Sequence, residues 1–226
     1  MPFPDGLVPT PWDQKIFGFP TWEVVNPDEE IFAEVGAHPG HYTVKIDPLA
    51  CKEQLHRHGF YYCDTLLEPF ADQRRFVAMH NEQVGIDLAP NKDDILKICH
   101  GAFSHGRFHR DFYLDRDLAD RRYDQWTAQL CDERNVFGLT FAGALAAFFG
   151  FRENKIVLHA VGEDFQGKGL AKYLWSRACC ELFSRQHEEL LSSVSASNLA
   201  IVNLYASLGF RFRKPIDIYH RMVKPS

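Results

Sequence analysis

The stretch Val161–Ala171, VGEDFQGKGLA, followed by Asn198–Phe210, NLAIVNLYASLGF, decides how this chain is read. A glycine-rich turn that opens a helix gathers free backbone N–H groups at a positive helix end, and so suits an anionic ligand. Which anion depends on the residues around the glycines. A nucleoside-triphosphate loop needs GxxxxGK followed by Ser or Thr. Gly162 to Lys168 fits its first part, but Gly169 stands where a hydroxyl should bind magnesium. A dinucleotide fingerprint fails as well, because Lys172 occupies the third glycine position after Gly167 and Gly169.

The surroundings supply the strand and helices that an anion-binding turn requires. Lys155–Val161 (KIVLHAV) is a short apolar, β-branched run that predicts a strand, and Leu170, Leu174, Ala178 and Leu182 recur every four residues along a helix. Ser192–Ala196 reads as a further strand and Asn198 as a helix N-cap. Ile201, Leu204, Tyr205 and Leu208 share one helix face that ends at Gly209, and Phe210–Arg213 and Ile216–Val223 read as closing strands. Tyr205 lies seven residues after Asn198, which at about 100° per residue returns it nearly to the same face, so both can point at one ligand.

The pattern Q/R-x-x-G-x-G/A is complete in Gln166, Gly167, Lys168, Gly169, Leu170 and Ala171, and it resembles the acetyl-CoA site of the GNAT superfamily of N-acyltransferases. The order strand, QxxGxA, helix, strand, Asn, helix with Tyr, Gly-Phe, strand resembles the C-terminal half of a GNAT domain. This resemblance implies an α/β protein of GNAT fold with a mixed central sheet, preceded by a smaller α/β half-domain. It also implies acetyl-CoA as cosubstrate. Gln166 to Ala171 would hold the pyrophosphate, the backbone of Ala160 and Val161 the pantetheine arm and thioester carbonyl, and Asn198 the cofactor. Tyr205 would be the general acid. A phenol near pKa ~10 can deliver a proton to a thiolate whose own pKa is near ~8.5 without being ionised at neutral pH. Against these roles stand plainer ones: Tyr205 as a packed aromatic, Asn198 as a helix cap, His159 as a hydrogen-bonded structural residue. The base is not identified, with Glu68 and His159 as distant candidates.

Composition bounds the class. The net charge of −5 argues against a nucleic-acid partner, and 226 residues with 46% hydrophobic side chains suffice for a sizeable core. Six cysteines without CxxC spacing read as reduced thiols and not as metal ligands, and His105 and His109 lack a companion acid, so no metal is expected. No run is long enough to span a bilayer, and MPFPDGLVPTPW lacks the pattern of a signal peptide, so no membrane partner is expected and the cytoplasm is the expected location.

Three further pieces bear on the acceptor: Trp12–Gly18 (WDQKIFG), Ala102–Tyr113 (AFSHGRFHRDFY) and Tyr123–Trp126 (YDQW). They resemble the dTDP-fucosamine acetyltransferases, which act on a nucleotide-linked 4-amino sugar. That likeness implies a nucleotide-linked amino sugar as acceptor, with Arg107, Phe108 and Tyr113 as substrate residues, and a homodimer is compatible with it. The chemistry agrees, because Arg107, Arg110, Arg121 and Arg122 are planar donors suited to a diphosphate, and Phe108, Phe112 and Tyr113 could stack on a ring. Alternatively, Asp111, Asp115, Asp117 and Asp120 pair with those arginines on a solvated surface. The segment falls between helices expected at Asp93–Ala102 and Leu118–Asp132.

Near the N-terminus, Tyr42–Ile46 reads as a strand, Leu49–Arg57 as a helix and Gly59-Phe60 as the entry to another strand. QLHRHGF thus either repeats LYASLGF, with Leu55 opposite Tyr205, or is a chance Gly-Phe after a helix, since helices commonly end in glycine. A composition break at Ala71–Arg75 divides a degenerate GNAT-like half-domain, 1–75, from an acetyltransferase domain, 76–226. N-acetylation of a nucleotide-linked amino sugar is the reading that results. Another small-molecule or peptide amine as acceptor, or a catalytically idle acyl-CoA-binding module, are the alternatives.

Overall fold

Helix ends and turns fall where the backbone chemistry demands. The computed structural model describes residues 6–225. In chain order its elements are β1 (Leu7–Pro9), α1 (Pro11–Phe17), β2 (Thr21–Val24), α2 (Glu29–Ala37), β3 (Gly40–Ile46), α3 (Glu53–Arg57), β4 (Tyr61–Asp72), β5 (Val84–Asp87) and α4 (Lys92–Cys99). There follow α5 (Arg107–Arg110), α6 (Arg116–Asp132), β6 (Val136–Phe141), β7 (Ala144–Arg152), β8 (Lys155–Val161), α7 (Ala171–Ser184), β9 (Glu189–Leu191), β10 (Val194–Ser195), α8 (Leu199–Ser207) and β11 (Arg211–Val223).

The chain divides into two compact units, but not at Ala71–Arg75. The first comprises residues 1–66, 105–122 and 215–226; the second comprises 67–104 and 123–214. The division falls inside β4, α6 and β11. A composition break cannot reveal this, because a strand may serve one core with its first half and another with its second. Other expectations shift locally. The helix expected from Leu49 starts only at Glu53, and Leu49 is almost fully exposed. The two closing strands are one, with Lys214 in the left-handed region at φ 49° and Pro215 marking an irregularity inside it. The segment expected as a strand over Ser192–Ala196 contracts to Val194–Ser195.

In the first unit β1 pairs antiparallel with β2, β2 parallel with β3, and β3 antiparallel with β11 from Ile46↔Asp217 to Gly40↔Val223. Its core joins Phe32 and Val35 of α2, Tyr42 and Val44 of β3, Leu55 and Phe60. Asp28 caps α2, its carboxylate accepting from the Ile31 N–H at 2.9 Å.

The second unit is built on a mixed sheet. β5, β6, β7 and β8 are successively antiparallel, whereas β8 meets β9 in parallel. Leu174, Trp175, Ala178 and Leu182 of α7 pack against Phe137, Phe149 and Ile156. Ile95 of α4 and Leu130 of α6 cover Phe148 and Leu158 on the other face. Burial of each such side chain contributes about 1.5–3 kcal/mol. Strict alternation would put Ile156 and Leu158 on the same face. The register of β7 with β8 slips between Gly150↔Leu158 and Phe151↔Ile156, leaving Val157 as the extra residue of a bulge. That bulge sends Leu158 to the α4–α6 side and turns His159 toward α7.

Candidate active site

Gly167 and Gly169 both adopt left-handed backbone, φ 71° and 68°, and no atom lies within 4 Å of where a side chain would begin on either. Only glycine takes this double turn without strain. Gln166 anchors the loop to the strand before it, its Nε2–H donating to the Val161 carbonyl at 2.9 Å. Leu170 opens α7 with no side-chain cap, so the first backbone N–H groups of this 14-residue helix are left facing outward. Lys168 rests its ammonium 5.6 Å from the Phe165 ring. An exposed glycine turn, an uncapped helix end and a lysine fit a pyrophosphate.

Beside the loop two parallel strands part. β8 pairs with β9 at Lys155↔Leu191, whereas β10, which follows β9, pairs with β4. Near the parting lies a cavity of about 540 Å³ whose lining includes Trp126, Lys155, Ile156, Val157, Leu191 and Ser193. The Gly162 N–H donates to the Ala146 carbonyl at 2.8 Å. By antiparallel alternation Ala160 then exchanges its backbone bonds with Phe148, while His159 and Val161 turn theirs away from β7. The Gln166 bond to Val161 bears out that direction for its carbonyl. Of the two residues expected to offer backbone N–H groups to a thioester, Val161 therefore faces the opening and Ala160 does not. His159, like Val161, turns its backbone N–H away from β7.

Tyr205 is fully buried. Its ring packs edge-on against Phe210 at 4.8 Å, and its hydroxyl donates to Ser192 Oγ at 3.1 Å. Ser192 in turn donates to the Ile156 carbonyl at 3.1 Å, so its own proton is committed. His159 Nε2 lies 3.0 Å from the same tyrosine hydroxyl. With the Tyr205 proton on Ser192 and the Ser192 proton on Ile156, the Nε2–H tautomer of His159 completes the network. Burial lowers the His159 pKa to about 4, so the ring is neutral at pH 7. Burial pushes the Tyr205 phenol up, against the smaller opposing effect of Ser192. The phenol thus holds its proton firmly and must be close to a basic leaving group to give it up.

Asn198 caps α8, its Oδ1 accepting from the Ile201 N–H at 3.3 Å. Glu68 is committed to Arg213 at 2.7 Å and Lys214 at 3.2 Å. Burial raises its pKa, but the two cations outweigh that and hold it below the usual carboxylate range. It is an ion-pair residue, poorly suited to take up a proton.

The expected acceptor residues Arg107, Phe108 and Tyr113 belong to the first unit, whereas Tyr205 and the loop belong to the second. Phe108 is buried, with Phe17 5.5 Å away and the Arg107 guanidinium 4.7 Å from its ring centre, so it supports Arg107. Among the described residues Arg107 makes no ion pair. Arg110 pairs with Asp64 at 3.0 Å and Arg122 with Asp13. Both of these partners lie outside the run Asp111 to Asp120. Asp120 holds His109 at 2.9 Å instead. Tyr113, Phe112 and Tyr61 form an aromatic group with centroids 4.6–5.5 Å apart, and Phe112 is 72% exposed.

Sequence reasoning missed Ser192 and the buried group around Asp111. Asp111 accepts from His41 at 2.8 Å, His220 at 2.7 Å, Tyr61 at 2.9 Å and the Tyr113 N–H at 2.9 Å. Burial raises the Asp111 pKa, but the two histidines outweigh it and hold the carboxylate well below its usual range. His41, Asp111 and His220 have the donor types of a metal site, their ligand atoms lying within 4.8 Å of one another. They stand so far apart in sequence that no spacing rule connects them. In this structure they form hydrogen bonds with each other.

Comparison with known proteins bears on the fold. The acetyltransferase (GNAT) domain model matches residues 117–218. In fold the chain resembles the GCN5-related N-acetyltransferase from Sphaerobacter thermophilus, with a TM-score of 0.64 at 11% identity, covering 97% of this chain and 76% of that one. It also resembles a tandem GNAT protein from the clavulanic acid biosynthesis pathway, with a TM-score of 0.55 at 12% identity, covering 92% and 77%. Residues 117–218 therefore form a GNAT acetyltransferase domain, the domain class of acyl-CoA-dependent N-acetyltransferases. In sequence it is 23% identical over 132 residues to the spore coat polysaccharide biosynthesis protein SpsD of Bacillus subtilis (strain 168). That match covers 56% of this chain and less than half, 46%, of SpsD. Among the described residues no helix is long and apolar enough to cross a membrane.

Proposed function

We propose that this protein is an N-acetyltransferase whose acceptor is the amine of a nucleotide-linked amino sugar, attacked directly without a covalent enzyme intermediate. The observation that carries this reading is the pairing of an open, left-handed glycine loop with a tyrosine held by His159 and Ser192 beside parting strands. Acetyl-CoA supplies the acetyl group as a thioester. Gln166 to Ala171 and the first turn of α7 hold the pyrophosphate by backbone N–H groups. The His159 and Val161 N–H groups polarise the thioester carbonyl. Asn198 contacts the cofactor as well as capping its helix. Tyr205 gives its proton to the leaving sulfur.

On the acceptor side, Arg107 binds phosphate, supported from beneath by Phe108, and Tyr113 flanks the nucleotide ring. The likeness to a polysaccharide-biosynthesis protein and the three sequence pieces near the acceptor residues support a sugar substrate. All six cysteines are free, which suits the reducing cytoplasm as the place of action.

The test is thiol release from acetyl-CoA in the presence of dTDP- and UDP-linked 4-amino sugars, glucosamine and simple amines. Turnover confined to a nucleotide-linked amino sugar is the expected result. Turnover with other amines alone would replace the acceptor. Coenzyme A binding without turnover on any of them would make the protein an acyl-CoA-binding module.

A further inference from the structure

One atom of the tyrosine network is left over. His159 Nδ1 is buried and has no hydrogen-bond partner. Buried polar atoms are nearly always paired, so an orphan next to a proposed acid calls for an explanation. In the Nε2–H tautomer this orphan is an open lone pair. The hydrogen bonds on its other side form a directed chain, from His159 Nε2–H to the Tyr205 oxygen, and from the Tyr205 O–H to Ser192.

Acetyl transfer to an amine must take a proton from nitrogen and give one to sulfur. We infer that His159 and Tyr205 carry that proton between the two, entering at His159 Nδ1 and leaving from the Tyr205 hydroxyl. Tyr205 swings its proton from Ser192 to the leaving sulfur, and the phenolate oxygen takes the Nε2 proton of His159. Nδ1 accepts the proton released by the acceptor nitrogen. No proton is gained or lost, and neither imidazolate nor imidazolium persists. The ring ends with its proton on Nδ1 and returns to the Nε2–H tautomer before the next turnover, once product departs and Nδ1 can pass its proton to water along the path by which the acceptor nitrogen reached it.

The environment favours a relay over a simple base. Burial holds the ring neutral far below pH 7, so His159 would keep a proton poorly, yet it can pass one on as fast as Tyr205 releases its own. Trp175, edge-on at 4.9 Å, and Phe149, stacked at 6.1 Å, fix the ring plane. The Val157 bulge is what brings the ring to this face. Ser192 is a positioning residue that parks the tyrosine proton between turnovers.

This inference rests on Tyr205 being the acid, and the experiment separates the two. Imidazole 15N NMR of the intact protein, with His159 assigned by difference from His159→Gln, should show a neutral Nε2–H ring at pH 7. A proton on Nδ1, or an imidazolium, closes the entry to the relay and overturns it without any acceptor being present. The kinetic arm uses thiol release with dTDP-4-amino-4,6-dideoxygalactose. Gln can still donate a hydrogen bond to Tyr205 but cannot pass a proton through its side chain. His159→Gln is expected to lower kcat about 100-fold with KM for acetyl-CoA unchanged. A wild-type kcat in His159→Gln, beside a slow Tyr205→Phe, leaves Tyr205 as the acid and removes the relay. A wild-type kcat in Tyr205→Phe removes the acid assignment itself.

Discussion

Two helix ends in this molecule share one backbone and differ in one side chain. α3 closes with Phe60 N–H on the Leu55 carbonyl at 2.8 Å and Gly59 N–H on His56 at 3.0 Å. α8 closes with Phe210 N–H on the Tyr205 carbonyl at 3.0 Å and Gly209 N–H on Ala206 at 3.1 Å. Both are Schellman ends with a left-handed glycine, φ 73° and 83°, and both bury the residue that starts the motif. Leu55 contributes only packing to its core. Tyr205 adds a hydroxyl, and the fold around α8 supplies Ser192 and His159 to hold it. The comparison teaches that the motif is a way of ending a helix, and that chemistry enters with the side chain it buries.

The sharpest way to break this contrast is Tyr205→Phe, which keeps the ring and removes the hydroxyl. We expect kcat to fall by roughly 10²–10⁴ with coenzyme A affinity unchanged, read by thiol release and calorimetry. Leu55→Ala should instead cost about 2–5 kcal/mol of stability, seen in urea unfolding, and leave kcat per folded molecule alone. A selective loss of turnover at Leu55 would show that the N-terminal helix end is not merely scaffold.

The glycines differ in what surrounds them. A Cβ on Gly209 would come within 2.1 Å of the Arg75 carbonyl oxygen, whereas on Gly59 the nearest atom is Arg221 Nε at 4.0 Å. Gly59→Ala should cost about 1–2 kcal/mol for the left-handed backbone alone. Gly209→Ala should cost more, since it must also displace the 75–77 segment. Equal urea midpoints would mean that this segment yields freely.

Each unit also hides a neutral histidine. Burial lowers the pKa of His220 to about 3 and that of His159 to about 4, against about 6.5 in an unfolded chain. Below pH 6.5 the unfolded chain binds protons that the folded one refuses, so stability is full above that pH and falls as the pH drops toward 4 and 3. The expected result is a falling urea midpoint between pH 7 and 5, shallower in His159→Gln. The smallest effect is at the helix starts. Asn198→Ala removes a cap and should cost about 1 kcal/mol. Lys52→Ala, at an α3 start without a side-chain cap, should lose no cap interaction.

Much of the second unit was legible because its signals are local. The QGKGLA turn, the four-residue repeat along α7, the Asn198 cap and the Gly209 end all depend on contacts a few residues apart, and all appear where the sequence puts them. The acceptor region was legible in composition but not in roles, since Phe108 faces inward and Arg110 and Arg122 are committed to Asp64 and Asp13. That the Ala160 N–H turns toward β7 was not legible, because a strand's outward N–H groups depend on which neighbour it pairs with.

The amino-acid sequence by itself determined the order of elements, the double-glycine turn and the tyrosine on its helix, for these follow from backbone preferences and short-range periodicity. Only the tertiary structure decided the rest. The Val157 bulge set the face that His159 shows, the register of β7 with β8 turned the backbone groups of His159 and Val161 away from β7 and those of Ala160 toward it, and folding gathered His41 and His220 around the Asp111 carboxylate. Each of these depends on pairings between residues distant in the chain, whose register is fixed by burying one face of a sheet and not by the residues themselves.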